Sequence, residues 1–259
     1  MPAELKSTSD RGTMVLTIRN PEQRNALGAE IYAAGVEALN VAETHPEVRS
    51  VVITGEGGIF CAGGNLQRLQ ANRQQPPEVQ ARSIEGLHDW IETIRSFPKP
   101  VIAAVEGPAA GAGFSLALAC DLIVAAADAV FVMAYSNVAL SPDGGATWSL
   151  AHALPRQLAG ELLLGGERMA PDRLHALGIV NRVVPPGSAL AEALAMAERL
   201  NAKAPNALAS IKELLNEAPE ATLHQQLAAE RDHFVRNLHH PNGGIGIAAF
   251  LAREKPRYG

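Results

Sequence analysis

The chain has 259 residues, with 22 Lys and Arg against 27 Asp and Glu, a formal net charge of −5 with histidines neutral. An acidic balance without a Lys/Arg block offers no basic field for nucleic acid, while 47 % hydrophobic and 19 % charged residues exclude disorder as the main state. Cys61 and Cys120 are too few for a disulfide framework or a Cys-based zinc site, so no metal and a cytoplasmic setting are expected; the opening MPAELKSTSDRG lacks the apolar stretch of a secretory signal, and no apolar run reaches the roughly 18 residues of a membrane span.

With aromatic residues at only 4 %, the core must come from Ala, Leu, Val and Ile. Met14 to Arg19 alternates apolar and polar residues, predicting a strand that turns at Asn20-Pro21. Gly28 to Ala42 has helical apolar spacing and is stopped by His45-Pro46. Ser50 to Thr54 predicts a second strand, followed by the glycine-rich GEGGIFCAGGN and a helix over Pro77 to Phe97. Pro100 to Val105 predicts a third strand, and Gly111-Ala112-Gly113 then opens a small-residue helix running to about Cys120. Strands over Leu122 to Ala126 and Ala129 to Met133 precede the loop SPDGGATW. From Thr147 helices dominate, with one strand near Ile179 to Val184, and Ala189 to Arg253 reads as helix broken at Pro205, Pro219 and Pro241. Strands and helices alternating on a rhythm of about 45 residues predict a sheet covered by helices, without a solenoid's repeated motif.

Three loops carry the unusual residues, each after a predicted strand, where open α/β folds place ligands. Gly55 to Asn65 is not a dinucleotide fingerprint, because the third glycine position falls on Phe60, and no Walker motif occurs. Glycine content alone fits equally a tight connection and a backbone approached closely by a ligand. Gly111 to Gly113 opens a helix, whose unsatisfied amides and positive dipole end would stabilise an oxygen anion. One amide from each of two such loops, meeting at one carbonyl oxygen, would make an oxyanion hole. Gly113-Phe114-Ser115-Leu116-Ala117 falls short of a hydrolase nucleophile elbow, since Ser115 lies inside the helix rather than at the strand-to-helix turn. Asp143, between Pro142 and Gly144, reads either as a turn or cap residue or as a carboxylate able to carry a proton to and from carbon.

Arg24-Asn25-Ala26-Leu27, Phe60-Cys61-Ala62-Gly63-Gly64-Asn65-Leu66, Gly107-Pro108-Ala109-Ala110-Gly111-Ala112-Gly113 and Pro142-Asp143-Gly144-Gly145 together resemble the crotonase (enoyl-CoA hydratase/isomerase) superfamily in order and spacing. The resemblance runs from about Met14 to Arg253. It implies an α/β fold, a crotonase-type spiral of ββα units over residues 1–188 with a helical trimerisation region over 189–259. A homotrimer or dimer of trimers is implied, acting on an acyl-CoA thioester whose coenzyme A is part of the substrate, with no separate cofactor. By position, the amides of Gly64 and Ala112 match the oxyanion hole. Arg24 matches a basic residue near the CoA phosphates, with Ala26, and with Ala62 and Gly64 backbone facing the adenine. Phe250 and Arg253 match positions through which a helical ending reaches a CoA, often a neighbour's.

The chain departs from the hydratase pattern at both catalytic glutamates, whose positions here hold Ser115 and Tyr135. A neutral serine and an ordinary phenol cannot replace paired carboxylates at neutral pH. Asp143 falls where several isomerases and a dehalogenase of the superfamily carry a working aspartate, so it is the expected base in a double-bond isomerisation. Ser115 is expected to line the acyl site, and Tyr135, Trp148 and Met133 lie around the same loops, where an aromatic acyl group would stack. The wording of FCAGGNL, SPDGG and RDHF is similar to the branch linked to phenylacetate and oxepin-CoA metabolism. The rival readings are a hydratase or ring-opening hydrolase, and a CoA-binding member without chemistry. His233, His239 and His240 lack the spacing of a metal site and are expected at solvent or an interface.

Overall fold

The structure, a computed structural model, describes residues 3–258. β1 (Glu4–Asp10) and β2 (Thr13–Arg19) form an antiparallel hairpin. Then follow α1 (Ala29–Thr44), β3 (Ser50–Gly55), α2 (Leu66–Asn72), α3 (Pro77–Ser96), β4 (Val101–Val105), β5 (Pro108–Ala110) and α4 (Ala112–Ala119). The chain continues through β6 (Leu122–Ala126), β7 (Val130–Val132), α5 (Ala146–Ala153), α6 (Arg156–Gly165), β8 (Arg168–Met169), α7 (Pro171–Ala176) and β9 (Arg182–Val184). It ends in α8 (Ala189–Asn201), α9 (Pro205–Glu217), α10 (Leu223–His239) and α11 (Pro241–Ala252).

The large sheet has the order β1-β2-β3-β4-β6-β9, parallel throughout except for the β1–β2 pair. A small sheet, β5-β7-β8, lies beside it, and Cys61 bridges Ala109 on its β5 side. Each turn of the chain therefore passes through the large sheet, touches the small one and returns by helix: β4-β5-α4, then β6-β7-α5. Alternation along the strands sends side chains to two cores. Leu16, Ile18, Val51, Ile53 and Ala103 enter the main core, while Val15, Val52, Ile102, Ala104 and Val124 face α8. On the main-core side α1 and α3 pack so closely that a side chain at Gly35 would stand 2.3 Å from the fully buried Trp90 ring.

Several elements differ from the sequence reading. β1, ELKSTSD, is a polar edge strand whose pairing with β2, not its own pattern, makes it a strand. Helix α2 and the short strands β5 and β8 are also added. The even rhythm does not hold, because strands β2, β3, β4 and β6 begin at 13, 50, 101 and 122. The break at 188/189 does not separate α8 from the sheet: Ala189, Ala193, Met196 and Ala197 form one cluster with Val15, Val52, Ile102, Ala104 and Val124. Helix α8 is the second layer of the sheet, and the region without sheet contacts of this kind begins at α9.

Helices α9, α10 and α11 are joined by amide hydrogen bonds, Asn242 to Asn206, Asn206 to Asn237 and Asn237 to Ser210, at 2.7–2.9 Å. Their outer faces leave Leu223, Phe234, Phe250 and Leu251 more than two-thirds exposed. Among the described residues no helix is long and apolar enough to cross a membrane.

Candidate active site

Two loops meet at the centre of the molecule. The one after β3 is fastened to the one after β4 by Phe60 N to Glu106 O (2.7 Å), Cys61 N to Pro108 O (3.0 Å) and Ala110 N to Cys61 O (2.9 Å). Close contact dictates the glycines. A methyl group on Gly63, whose φ is +88°, would lie 2.5 Å from Ala110 O; one on Gly113 would lie 2.5 Å from Cys61 O. Ala112 is the first residue of α4, an almost wholly buried helix anchored by the Phe114–Phe131 ring contact at 4.9 Å. Among the described residues, neither the Gly64 nor the Ala112 amide donates a backbone hydrogen bond.

Gly64 and Ala112 both line an inner cavity of about 380 Å³, lined also by Tyr135, Asp143 and by Gln80, Ile84 and His88 of α3. Ala62, Gly64, Leu66 and Ala110 also line an outer cleft of about 730 Å³ that carries Arg24, Ala26 and Arg168. Arg24 and Asn25 both have left-handed backbone. The buried Asn25 side chain explains the shape: it donates to Glu56 O and Ile59 O and accepts from Asn20 N, at 2.6–2.9 Å.

Asp143 is half-buried and is the one carboxylate lining the inner cavity among the described residues. Its Oδ1 accepts a 2.6 Å hydrogen bond from the Tyr135 hydroxyl. Burial, and then the negative charge of Asp143, push that phenol above its ordinary range, so it stays protonated and donates. Ser115 is buried behind the loop, its Oγ 3.0 Å from Asp143 O and 3.4 Å from the phenol oxygen. Cys61 is fully buried, accepts from Gly63 N at 3.3 Å, and is pushed up to about 12 by burial.

The expected site residues thus divide. Gly64, Ala112, Tyr135 and Asp143 line the inner cavity, Ala62 both spaces, and Arg24 and Ala26 the outer cleft. Ser115 supports the Asp143 loop instead of lining the cavity. Trp148 and Met133 do not meet the acyl space either. Ala146 and Leu150 turn inward, which carries Trp148 to the outer side of α5 against His152 (4.2 Å) and under the Arg95 guanidinium (4.4 Å), while Met133 is core. Phe250 and Arg253, at the end of α11, line neither space of their own chain.

The α3 wall was missed in the sequence reading. Gln80, Ile84 and His88 recur every four residues, a stripe of one helix face, but only the tertiary fold tells which stripe faces a cavity. The histidines near the helical ending have other roles: His240 Nδ1 accepts from Asn242 N at the start of α11, and buried His233 has Nε2 3.8 Å from Glu213. Among the described residues no group of three His, Cys, Asp or Glu is arranged to hold a metal ion.

The chain belongs to the enoyl-CoA hydratase/isomerase family, whose model matches residues 8–259. It is a crotonase-family enzyme with the crotonase fold. It is similar to the 1,2-epoxyphenylacetyl-CoA isomerase of Escherichia coli, 34 % identical over 96 % of this chain and 95 % of that protein. The 2,3-dehydroadipyl-CoA hydratase of the same organism is 31 % identical over 99 % of this chain and 98 % of that protein. The crystal structure of an enoyl-CoA hydratase from Polaromonas sp. JS666 has a TM-score of 0.98 and 72 % identity, covering 99 % of this chain and 100 % of that one.

Proposed function

We propose that the enzyme moves a carbon–carbon double bond within an acyl-CoA thioester, with Asp143 carrying the proton. The coenzyme A lies in the outer cleft, its phosphates near Arg24 and its adenine against the backbone of Ala62 and Gly64. The acyl group enters the inner cavity with its carbonyl oxygen on the Gly64 and Ala112 amides. Asp143 takes a proton from the carbon beside the carbonyl, and the C–H electron pair moves through the chain to leave a dienolate oxygen on the two amides. Collapse of the dienolate takes the same proton back at the far carbon, so a 3-enoyl thioester becomes a 2-enoyl one. Each amide contributes about 3 kcal/mol of transition-state stabilisation. No group beyond the thioester's own coenzyme A is needed.

The observation that carries this reading is that Asp143 is the one carboxylate lining the inner cavity among the described residues, in company with Gly64 and Ala112, whose amides donate no backbone hydrogen bond among those residues. Hydration uses paired carboxylates in the typical hydratases that the chain resembles, and the two corresponding positions hold Ser115 and Tyr135. A ring-derived acyl group is the second candidate, supported by the similarity to the 1,2-epoxyphenylacetyl-CoA isomerase. Assembly as a trimer or dimer of trimers, bringing Phe250 and Arg253 to a neighbour's CoA, is supported by the exposed apolar faces of α10 and α11. Two buried free thiols support action in a reducing cytoplasm.

The test offers 3-hexenoyl-CoA, crotonyl-CoA and 1,2-epoxyphenylacetyl-CoA to the native enzyme and to Asp143→Asn. Isomerisation by the native enzyme, lost in the variant, is the expected result. Hydration of crotonyl-CoA that survives Asp143→Asn, or tight binding of all three thioesters without turnover, overturns the reading.

A further inference from the structure

The Asp143 carboxylate follows an exposed turn, residues 136–141. Two side chains reach it from below. The Tyr135 hydroxyl donates to Oδ1 at 2.6 Å from a ring that is 9 % exposed, and Ser115 Oγ donates to the Asp143 carbonyl oxygen at 3.0 Å while lying 3.4 Å from the phenol. Asp143 Oδ2 has no partner among the described residues. A short O–H···O⁻ bond of this kind is among the strong ones, and it holds one carboxylate oxygen to a rigid ring while leaving the other free.

We propose that Tyr135 is a positioning residue: by donating to Oδ1 it fixes the Asp143 carboxylate so that Oδ2 is the oxygen that takes the substrate proton, with Ser115 bracing the loop beneath. The inference rests on the reading of Asp143 as proton carrier. It gives Tyr135 a task other than stacking on an acyl group. The phenol keeps its own proton, because burial and the adjacent negative charge hold it above its ordinary range.

Three other titratable groups surround this pair. Tyr32 of α1 feels the Asp143 charge and is pushed up to about 12, chiefly by burial; buried Cys61 behaves alike; His88 faces the cavity from α3.

The experiment labels the aspartate carboxyl carbons with ¹³C in the full-length protein, records spectra at one fixed pH of 8, and assigns Asp143 by the resonance that Asp143→Asn removes. In Tyr135→Phe, which keeps the ring, that resonance is expected to move because the carboxylate loses its phenol donor. In a chain carrying 3-fluorotyrosine at 135, a stronger donor, it is expected to move the opposite way. With 3-hexenoyl-CoA, kcat should fall about tenfold in Tyr135→Phe while KM changes little. An Asp143 resonance and a kcat that are the same in all three proteins, with Asp143→Asn inactive, overturn this inference and leave Asp143 as the base. Full isomerase activity in Asp143→Asn overturns the base assignment, and the positioning role with it.

Discussion

Gly63 shows how little freedom the site allows a single residue. Its φ of +88° and the 2.5 Å approach of Ala110 O leave a side chain neither conformation nor space. Gly63→Ala is expected to destabilise the fold by about 2–4 kcal/mol and to lower kcat more than it raises KM, as checked by urea unfolding and steady-state kinetics. The thiols give a pH prediction. Burial pushes the Cys61 thiol up to about 12 from the ordinary value near 9, and raises Cys120 as well. Below about pH 9 both states hold these protons equally; above it the unfolded chain loses them first, so stability falls as pH rises toward 12. Thermal unfolding between pH 8 and 11 checks the sign, and neither thiol should react with a disulfide reagent at pH 8 until the protein is denatured. Asp143 was legible as a candidate because Pro and Gly flank it, but whether it capped a turn or faced a cavity was not. Ser115 was misread as a wall residue because its neighbours in space, Asp143 O and the Tyr135 phenol, are 28 and 20 positions away.

At the scale of elements, the strands with apolar alternation were legible, and those held by partners were not. β1 is polar and exists through its pairing with β2, while β5 and β8 are three and two residues long, too short for any period to show. Helix α8 was read as helix, but its small-residue face reveals neither the sheet it covers nor its cap. That cap comes from across the fold: the Glu106 carboxylate, just after β4, accepts from Gly187 N (3.0 Å) and Ala189 N (2.8 Å). Glu106→Ala is expected to cost about 1–2 kcal/mol in denaturant unfolding, while kcat stays near native. On α3 the Gln80-Ile84-His88 stripe forms the wall opposite Asp143. Ile84→Phe should therefore narrow the acyl space, raising KM for a ring-derived thioester several-fold more than for crotonyl-CoA, measured as the ratio of kcat/KM values.

For the molecule as a whole, family membership was legible because four short motifs between Arg24 and Gly145 kept their order and spacing, although each alone was weak. The assembly is a matter of surface. Phe250 is 83 % and Leu251 77 % exposed on the isolated chain, and Phe234 of α10 is exposed as well. Leu251→Asp with Phe250→Asp is expected to shift sedimentation from a trimer or hexamer to the single chain and to raise KM for the thioester; unchanged sedimentation would contradict the proposed assembly. The backbone lacing between the loops after β3 and β4 bears on how such an enzyme diversifies. Because those crossings tie both segments to one another, neither amide can be retuned alone, and drift there is penalised twice. Novel substrates must then be accommodated by rebuilding the surrounding walls, leaving the paired loops as inherited hardware.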